Sequence, residues 1–594
     1  MCGFIGKISF DRVDEEKLSI CNKNIICRGP DSTKQLNLKS NEINYSFIFN
    51  RLSILDLSEN ADQPMLSENG NHILLFNGEI YNHKELRKYL SSKGVNFTTS
   101  HSDTEVILRG LILESSSFIE KLRGMFSIFY LDKYKKEGLL VRDRLGQKPM
   151  YYKKTSDSLS FSSNLNSLIN IDNNYKLDEH QILNYLNFGI VSSPDTLFHQ
   201  YKKLLPGNLI EFNYSNGEFT KKLINYWSTD DHIGSNKFSK EQFFNIFNES
   251  VNLRNIADVP IANFLSGGID STSIVKSLHD SGQEVNTFSV NSNNQKYDES
   301  YWSDLVAEKY STNHKSINLT SSINMSDIES ALDSLDEPYS DPSVVPSYLL
   351  SKYISSDYKV AISGDGGDEL LGGYKRIALA LKNKTFLKNA FSNLYSIYPA
   401  FLGTGSTFLS YSNDYTTSYR SYLEDRKLLK LLKIKSKVKE LNIPNNNEVS
   451  DYKTLLQAEY KFYLSEMMMF KIDRTSMANS LEIRSPFVDH KLVEYILSSN
   501  IEYVDISRPK KILKDYLLSD FDNNFVNRQK KGFVFDLENW VYQNTDTLLD
   551  TISSGIIGEN YKVNNISKLN INKSRINANR LWKMYVLERY ISNL

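Results

Sequence analysis

Residues 259–290 read VPIANFLSGGIDSTSIVKSLHDSGQEVNTFSV: an apolar run of strand length, a serine-glycine loop, a stretch with helical periodicity and a second apolar run. Strand, loop, helix, strand is the sequence form of a parallel pair, because a strand returning in the same direction needs a crossover that a helix supplies. The run YKVAIS, residues 358–363, leads into the glycine-rich GDGGDELLGGY, residues 364–374. Two glycine turns therefore fall at the carboxyl ends of expected parallel strands, where open α/β sheets bind ligands. In the first turn, Ser266-Gly267-Gly268-Ile269-Asp270-Ser271 brings backbone N–H groups to a helix N-terminus, an anion site suited to phosphate. It has neither the GxxxxGK[ST] of a Walker loop nor the GxGxxG of a dinucleotide fold. From about residue 375 the pattern is mostly helical.

Upstream the rhythm differs. CGFIGKISF, YSFIFNRLSIL, HILLFNGEIY, GMFSIFYLD and KEGLLVRD are short runs of β-branched and aromatic residues separated by turn chemistry, which predicts strands. Ser102 and Glu105 stand as a capping box ahead of VILRGLILE, so stacked antiparallel sheets covered by helices are expected. Apolar periodicity lapses near LLPGNLIEF and DDHIGSNKFSKE, which puts a junction between about residues 205 and 240. The reading is an α+β domain over residues 2–210 followed by an α/β domain over 240–594, consistent with a length of 594 residues that favours two or more cores.

Seventy basic residues against 71 acidic ones give a net charge of −1 and no global field for nucleic acid or an anionic membrane. No window approaches the roughly 18 apolar residues of a membrane span, and the start MCGFIGKISFDRVDEEK lacks a secretion signal. A cytoplasmic protein acting on small molecules, with no nucleic-acid or membrane partner, is expected. The three cysteines, Cys2, Cys21 and Cys27, are too few for a disulfide framework. Cys21 and Cys27 read as buried small hydrophobes, and Met467-Met468-Met469 as core packing.

Cys2 has its own chemistry. Removal of the initiator methionine would leave a thiol and an α-amine on one residue, and an amine near about 7.7–8.0 can take the proton of a thiol near about 8.5. Arg51 offers a fork of donors for a substrate α-carboxylate and Asp103 an acceptor for an α-ammonium. Asn77 and the backbone N–H of Gly78 can form an oxyanion hole, with Gly78 permitting close approach. MCGFIG, RGPD, RLSILD, NGEIYN and SDTEV follow in order within the first 106 residues. This succession resembles the class II glutamine amidotransferases, whose catalytic cysteine is amino-terminal, and implies an N-terminal-nucleophile hydrolase sandwich of two sheets between helices. The resemblance implies that Arg51, Asn77, Gly78 and Asp103 bind glutamine, joined by Leu52, Ser53, Ile54, Leu55 and Glu79. Cys27 before RGPD and Phe49-Asn50 before RLSI depart from the His and His-Arg that the family often carries.

The SGGIDS loop resembles the pyrophosphate loop of ATP pyrophosphatases, which split ATP between its α and β phosphates and form an acyl-adenylate. Asp270 and Asp368, one from each glycine turn, are then candidate Mg2+ ligands, since bare carboxylates would repel a triphosphate. The family pattern carries Leu265, Ser266, Gly267, Gly268, Asp270, Ser271, Val290, Ser363 and Gly364 over as ATP contacts. YDES, LDEPYSDPSVVPSYLLS, SGDGGDELLGGY, FKIDRTSMANSLEIRSPFVDH and RQKKGF extend the likeness over nearly the whole chain, and together they resemble the asparagine synthetase family. That resemblance implies a parallel-sheet ATP-pyrophosphatase domain with a helical C-terminal part. It makes Lys530 the lysine that stabilises charge on the adenylating phosphate, leaves Lys531 solvated, and ties Asp365, where the well-defined bacterial asparagine synthetases carry Glu and many relatives carry Asp, to formation of the aspartyl-adenylate. Asp473 and Arg474 brace the interface or acceptor pocket, or form a plain structural ion pair.

The activity implied is that of a glutamine-dependent carbon–nitrogen ligase using ATP and Mg2+. Its first-choice acceptor is L-aspartate, giving L-asparagine, AMP and pyrophosphate. A uronic-acid sugar is the alternative acceptor, and a glutamine or ATP sensor without turnover is the alternative class. The resemblance leaves room for a homodimer.

Overall fold

The computed structural model describes residues 2–594 apart from 41, 292–298, 319–322, 383–387, 412–413, 435–437, 439, 442, 444–449, 501–508, 529–534, 562–565, 567–568 and 571. Its strands, in chain order, are β1 (Gly3–Ser9), β2 (Ser32–Lys39), β3 (Asn44–Arg51), β4 (Met65–Leu66), β5 (His72–Ile80), β6 (Gly124–Asp132), β7 (Glu137–Arg142), β8 (Tyr151–Lys154), β9 (Ser158–Ser162), β10 (Lys202–Lys203), β11 (Asn208–Ser215), β12 (Glu218–Asn225), β13 (Ile261–Phe264), β14 (Asn286–Asn291), β15 (Asn313–Asn318), β16 (Val360–Ile362) and β17 (Glu482–Arg484).

The first twelve strands form two six-stranded antiparallel sheets, ordered β10-β8-β9-β1-β3-β2 and β12-β11-β7-β6-β5-β4. Period-two alternation of apolar residues stacks them. Phe4 and Ile8 of β1, Phe47 and Phe49 of β3, and Ile73 and Leu75 of β5 enter one core between the sheets, where the ring of Phe129 stacks on Phe161 at 4.1 Å. The intervening residues face outward and are buried as well. Leu74 and Phe76 pack on Val106, Ile107 and Leu111 of the helix Asp103–Glu114, while Ile5 and Ile48 share a core with Leu581 and Trp582 of the helix Arg575–Ser592. Strands covered on both faces read as near-continuous apolar runs, which is why they stood out in the sequence.

The third sheet is wholly parallel, ordered β15-β14-β13-β16-β17. The helix Ile269–Asp280 crosses between β13 and β14 and buries Ile274, Val275 and Leu278 against Ala262, Phe288 and Ile362. The N-terminal half is thus an antiparallel sandwich between helices and the C-terminal half a parallel α/β sheet followed by helices. Among the described residues no helix is long and apolar enough to cross a membrane.

Some local expectations are corrected. Ser102 is the N-cap residue of its helix, but its side chain makes no capping bond. The carboxylate of Glu105 instead accepts from Thr98 N at 2.9 Å and Thr99 N at 2.8 Å, because the preceding loop folds over it. Cys21 is buried in the core, whereas Cys27 is only half-buried and joins no core cluster. Met468 and Met469 are core residues, as read, at the end of a π-helical segment, Glu459–Met468, that runs on into the helix Met469–Met477.

Buried polar contacts complete the assembly, and Arg28–Asp473, Arg474–Tyr151 and Arg484–Glu79 join the two halves. Arg28 forks onto Asp473 at 2.8 and 3.0 Å, Arg474 reaches Asp336 at 2.8 Å and the Tyr151 hydroxyl at 2.7 Å, and Arg484 lies 3.2 Å from Glu79. Burial opposes ionisation of Asp473, but Arg28, Lys148 and Arg474 outweigh it and hold the carboxyl below the usual carboxylate range. Removing one partner of such a pair leaves the other buried and uncompensated. Arg474→Met is therefore expected to destabilise the protein by about 3–5 kcal/mol, read from the shift of the urea midpoint. An unchanged midpoint would show that the network adds nothing to the packing.

Candidate functional site

Because β1 begins at Gly3, Cys2 lies at the end of a central strand, and it is 8% exposed. Its backbone nitrogen donates to Asn77 Oδ1 at 3.1 Å, so the nitrogen that methionine removal would convert to the α-amine is already oriented by Asn77. Among the described residues the Asn77 amide nitrogen makes one long 3.5 Å contact, to Ser127 Oγ, and with two N–H groups it retains donor capacity. Next to it Gly78 has a φ of +151°, and a Cβ there would stand 1.9 Å from Met125 O. That backbone excludes any side chain. Burial pushes the Cys2 thiol pKa up, so the resting group is a thiol that needs an adjacent base.

The other sequence-predicted residues of this site fall around it. Asp103 Oδ2 accepts from Ile80 N at 3.0 Å, and burial raises its pKa. Arg51 turns its guanidinium inward rather than presenting an open fork. It donates to Ser58 O at 2.8 Å, Asp62 Oδ1 at 2.6 Å and Asp56 O, tying down the loop that carries Leu52, Ser53, Ile54 and Leu55. Ser53 N donates to Asp31 at 2.7 Å. Leu52 and Ile54 pack with Tyr81 and Met125, and this apolar cluster extends to Val360 of β16 and to Met477. Burial pushes the Glu79 carboxyl well above its ordinary pKa despite Arg484 nearby.

The sequence reading gave no role to Arg28, although RGPD was one of its motifs. Arg28 Nε donates to the Cys2 carbonyl at 3.1 Å while its two terminal nitrogens hold Asp473. The backbone of Cys2 is therefore gripped by a residue anchored in the C-terminal half.

The second constellation lies at the carboxyl ends of β13, β14 and β16. Leu265 is buried and donates to Phe288 O at 2.7 Å, and Val290 is half-buried on β14. Ser266 Oγ accepts from Gly268 N at 3.2 Å and lies 3.3 Å from Ser271 Oγ, closing the loop. Gly267 has a φ of +65°, and a Cβ there would meet the Trp302 backbone at 2.6 Å. Ser363 Oγ pairs with Ser485 Oγ at 3.1 Å, a Cβ on Gly364 would stand 3.0 Å from Asp270 Cβ, and Asp365 is half-buried in the following turn. Lys530 and Lys531 lie outside the described residues. Arg528, which opens RQKKGF, donates to Gly267 O at 2.5 Å and to Glu299 at 2.8 Å, so that motif begins on the glycine loop.

Asp270 and Asp368 do converge. Both lie 2.5 Å from Nζ of Lys510, which the sequence reading did not single out. Among the described residues no group of three or more His, Cys, Asp or Glu side chains gathers into a metal site. Two carboxylates closed around one positive charge nonetheless fit Mg2+, which takes one or two carboxylates and completes its shell with phosphate oxygens and water.

Gly78→Ala is expected to cut glutamine hydrolysis about 100-fold to 1,000-fold by displacing the Asn77-Gly78 backbone, measured as glutamate release. A rate unchanged by the substitution would remove Gly78 from the site.

A sequence profile described as asparagine synthase matches residues 243–570, and one described as a glutamine amidotransferase domain matches residues 1–227. Three Bacillus subtilis (strain 168) proteins named glutamine-hydrolysing asparagine synthetases 1, 2 and 3 are similar to the chain. The first is 31% identical over 91% of this chain and 88% of its own length. The second is 27% identical over 86% and 68%, and the third 25% identical over 90% and 87%. The chain belongs to the asparagine synthase family, as a glutamine-dependent amidotransferase of the carbon–nitrogen ligase type.

Proposed function

We propose that the protein hydrolyses glutamine at Cys2 and passes the ammonia to an acyl-adenylate formed from ATP, with L-aspartate as acceptor and L-asparagine, AMP and pyrophosphate as products. The observation that carries this reading is the placement of Asn77 Oδ1 3.1 Å from the Cys2 nitrogen. The α-amine on that nitrogen takes the thiol proton as sulfur attacks the glutamine amide, and Asn77 and Gly78 N–H groups stabilise the oxyanion. Asp103 holds the α-ammonium, and the loop organised by Arg51 closes over the rest of the amino acid. Ammonia leaves past the apolar cluster of Leu52, Ile54, Tyr81, Met125, Val360 and Met477, surroundings that favour a neutral molecule over ammonium.

At the second site the Ser266–Ser271 loop receives the phosphates at the N-terminus of the helix Ile269–Asp280. Asp270 and Asp368 would hold Mg2+, which when bound shields charge on the pyrophosphate leaving group. Lys530 is assigned to the same charge. Residues 2–210 form the glutaminase unit and 240–594 the ligase unit, and the enzyme works in the cytoplasm.

A second acceptor reading rests on one feature. Asp365 is shorter by one methylene than glutamate, and in a catalytic constellation a displacement of about 1 Å costs on the order of 100-fold. That space could instead seat a larger acid such as a sugar uronate. Glutamine-dependent pyrophosphate release across a panel of acids decides between them. Aspartate is expected to give the highest specificity constant, and a uronamide product without asparagine would replace it. In the same assay Cys2→Ala is expected to abolish synthesis from glutamine and retain synthesis from ammonium; a variant that keeps its glutaminase rate would overturn the assignment of the nucleophile.

A further inference from the structure

The loop that carries Leu52, Ser53, Ile54 and Leu55 is held from outside its own half. Asp258, which lies just ahead of β13, takes it at two points. Its backbone N–H donates to Ile54 O at 2.9 Å, and its Oδ2 accepts from Asp56 N at 2.7 Å. The same oxygen lies 2.6 Å from Nε2 of His101, two residues before Asp103. Ser100 Oγ stands 2.5 Å from the other ring nitrogen, Nδ1. With that hydroxyl as donor, the ring keeps a proton on Nε2, where it points at Asp258. One carboxylate of the C-terminal half therefore joins the loop organised by Arg51 to the segment that enters the helix of Asp103.

The loop is shaped for this hold. Asp56 has a φ of +52°, with its N–H given to Asp258 and its carbonyl to Arg51. Left-handed backbone at a residue other than glycine is sparsely populated and persists where the surroundings over-determine it, as in ligand clamps. A second tether runs beside the first. Lys359 Nζ lies 2.7 Å from Asp31 Oδ2, the atom that accepts from Ser53 N at 2.7 Å. Lys359 immediately precedes β16, and β16 pairs with β13. The loop is thus docked on the amino ends of two neighbouring strands whose carboxyl ends bear the glycine turns. Asp258 itself is exposed, and an exposed ion pair adds little to stability, so its consequence is geometric.

We propose that Asp258 is a positioning residue of the glutaminase site, supplied by the ligase half: it clasps the loop of Leu52–Leu55 to the His101 segment and so holds the glutamine pocket in its closed shape. This inference rests on the reading of that loop and Asp103 as the walls around glutamine. It makes glutamine affinity depend on a residue that touches neither glutamine nor Cys2.

The test measures glutamate release against glutamine concentration in wild type, Asp258→Ala, His101→Leu and His101→Gln. Loss of a hydrogen-bonded carboxylate is expected to raise the KM for glutamine about tenfold in Asp258→Ala, with kcat held within about twofold because the groups that meet the transition state are intact. His101→Leu is expected to raise KM in the same way, and His101→Gln, whose amide N–H can still donate to Asp258, to keep it near the wild-type value. Pyrophosphate release with ammonium as nitrogen source is expected to be unchanged in all three. An unaltered KM in Asp258→Ala would overturn the proposal, and a lowered urea midpoint beside that unaltered KM would make the contact purely structural. If Asp258→Ala does not fold, Asp258→Asn and the two His101 variants carry the same comparison. A wild type that releases no glutamate would instead refute the glutaminase reading. Amide hydrogen exchange over residues 52–58 would then still decide whether Asp258 holds the loop, faster exchange in Asp258→Ala supporting the clasp and equal exchange overturning it.

Discussion

The bond on which the rest of the molecule turns is the fork from Arg28 to Asp473. One guanidinium holds the carbonyl of Cys2 at 3.1 Å and the carboxylate of Asp473 at 2.8 and 3.0 Å, so the geometry at Cys2 is set partly by a helix of the other half. A buried ion pair is weak support for stability by itself, since desolvation can cancel its attraction. Its geometric consequence is stronger. A planar fork accepts one arrangement of carboxylate and carbonyl, and it fixes the end of β1 against the C-terminal half. The Glu79–Arg484 contact at 3.2 Å makes a second link one residue beyond Gly78. The two strand ends that form the candidate oxyanion hole and nucleophile are thus each tied to the parallel sheet or the helix beside it.

This arrangement suits a chemistry that must be divided. Thiol attack on an amide and adenylation of a carboxylate need different charges around them, and Cys2 is buried with a raised pKa while the glycine loops carry paired carboxylates and an ammonium. The apolar cluster around Tyr81, Met125 and Val360 packs residues of both halves together. Ammonia is the species that can leave one and enter the other without carrying charge.

Much of the fold was legible in the sequence because burial on both faces leaves a strong trace. CGFIGKISF and HILLFNGEIY became β1 and β5, and VPIANFL, EVNTFSV and YKVAIS became β13, β14 and β16. β17, at Glu482–Arg484, is three residues long, too short for any period, and charged residues at both ends mask it. The capping box failed because Glu105 was claimed by the Thr98–Thr99 backbone, a loop contact that spacing cannot show. Site residues near Cys2 were readable as a set of motifs, yet the inward turn of Arg51 and the role of Arg28 depend on which acceptors the fold brings within reach. Lys510, one of 70 basic residues, carried no local signal. Its meaning arises only where two glycine turns distant in sequence meet.

Competition between two nitrogen sources tests most directly whether the Arg28–Asp473 bond joins the halves into one device. The enzyme is given glutamine labelled with 15N in its amide, unlabelled ammonium, ATP, Mg2+ and the acid that best supports pyrophosphate release, and the product amide is analysed by mass spectrometry. With the bond intact, 15N is expected to dominate the product. Asp473→Asn is expected to shift the product toward unlabelled nitrogen while 15N-ammonia escapes to solution. Equal 15N fractions in wild type and variant would contradict the account, because they would show that delivery of ammonia does not depend on this connection.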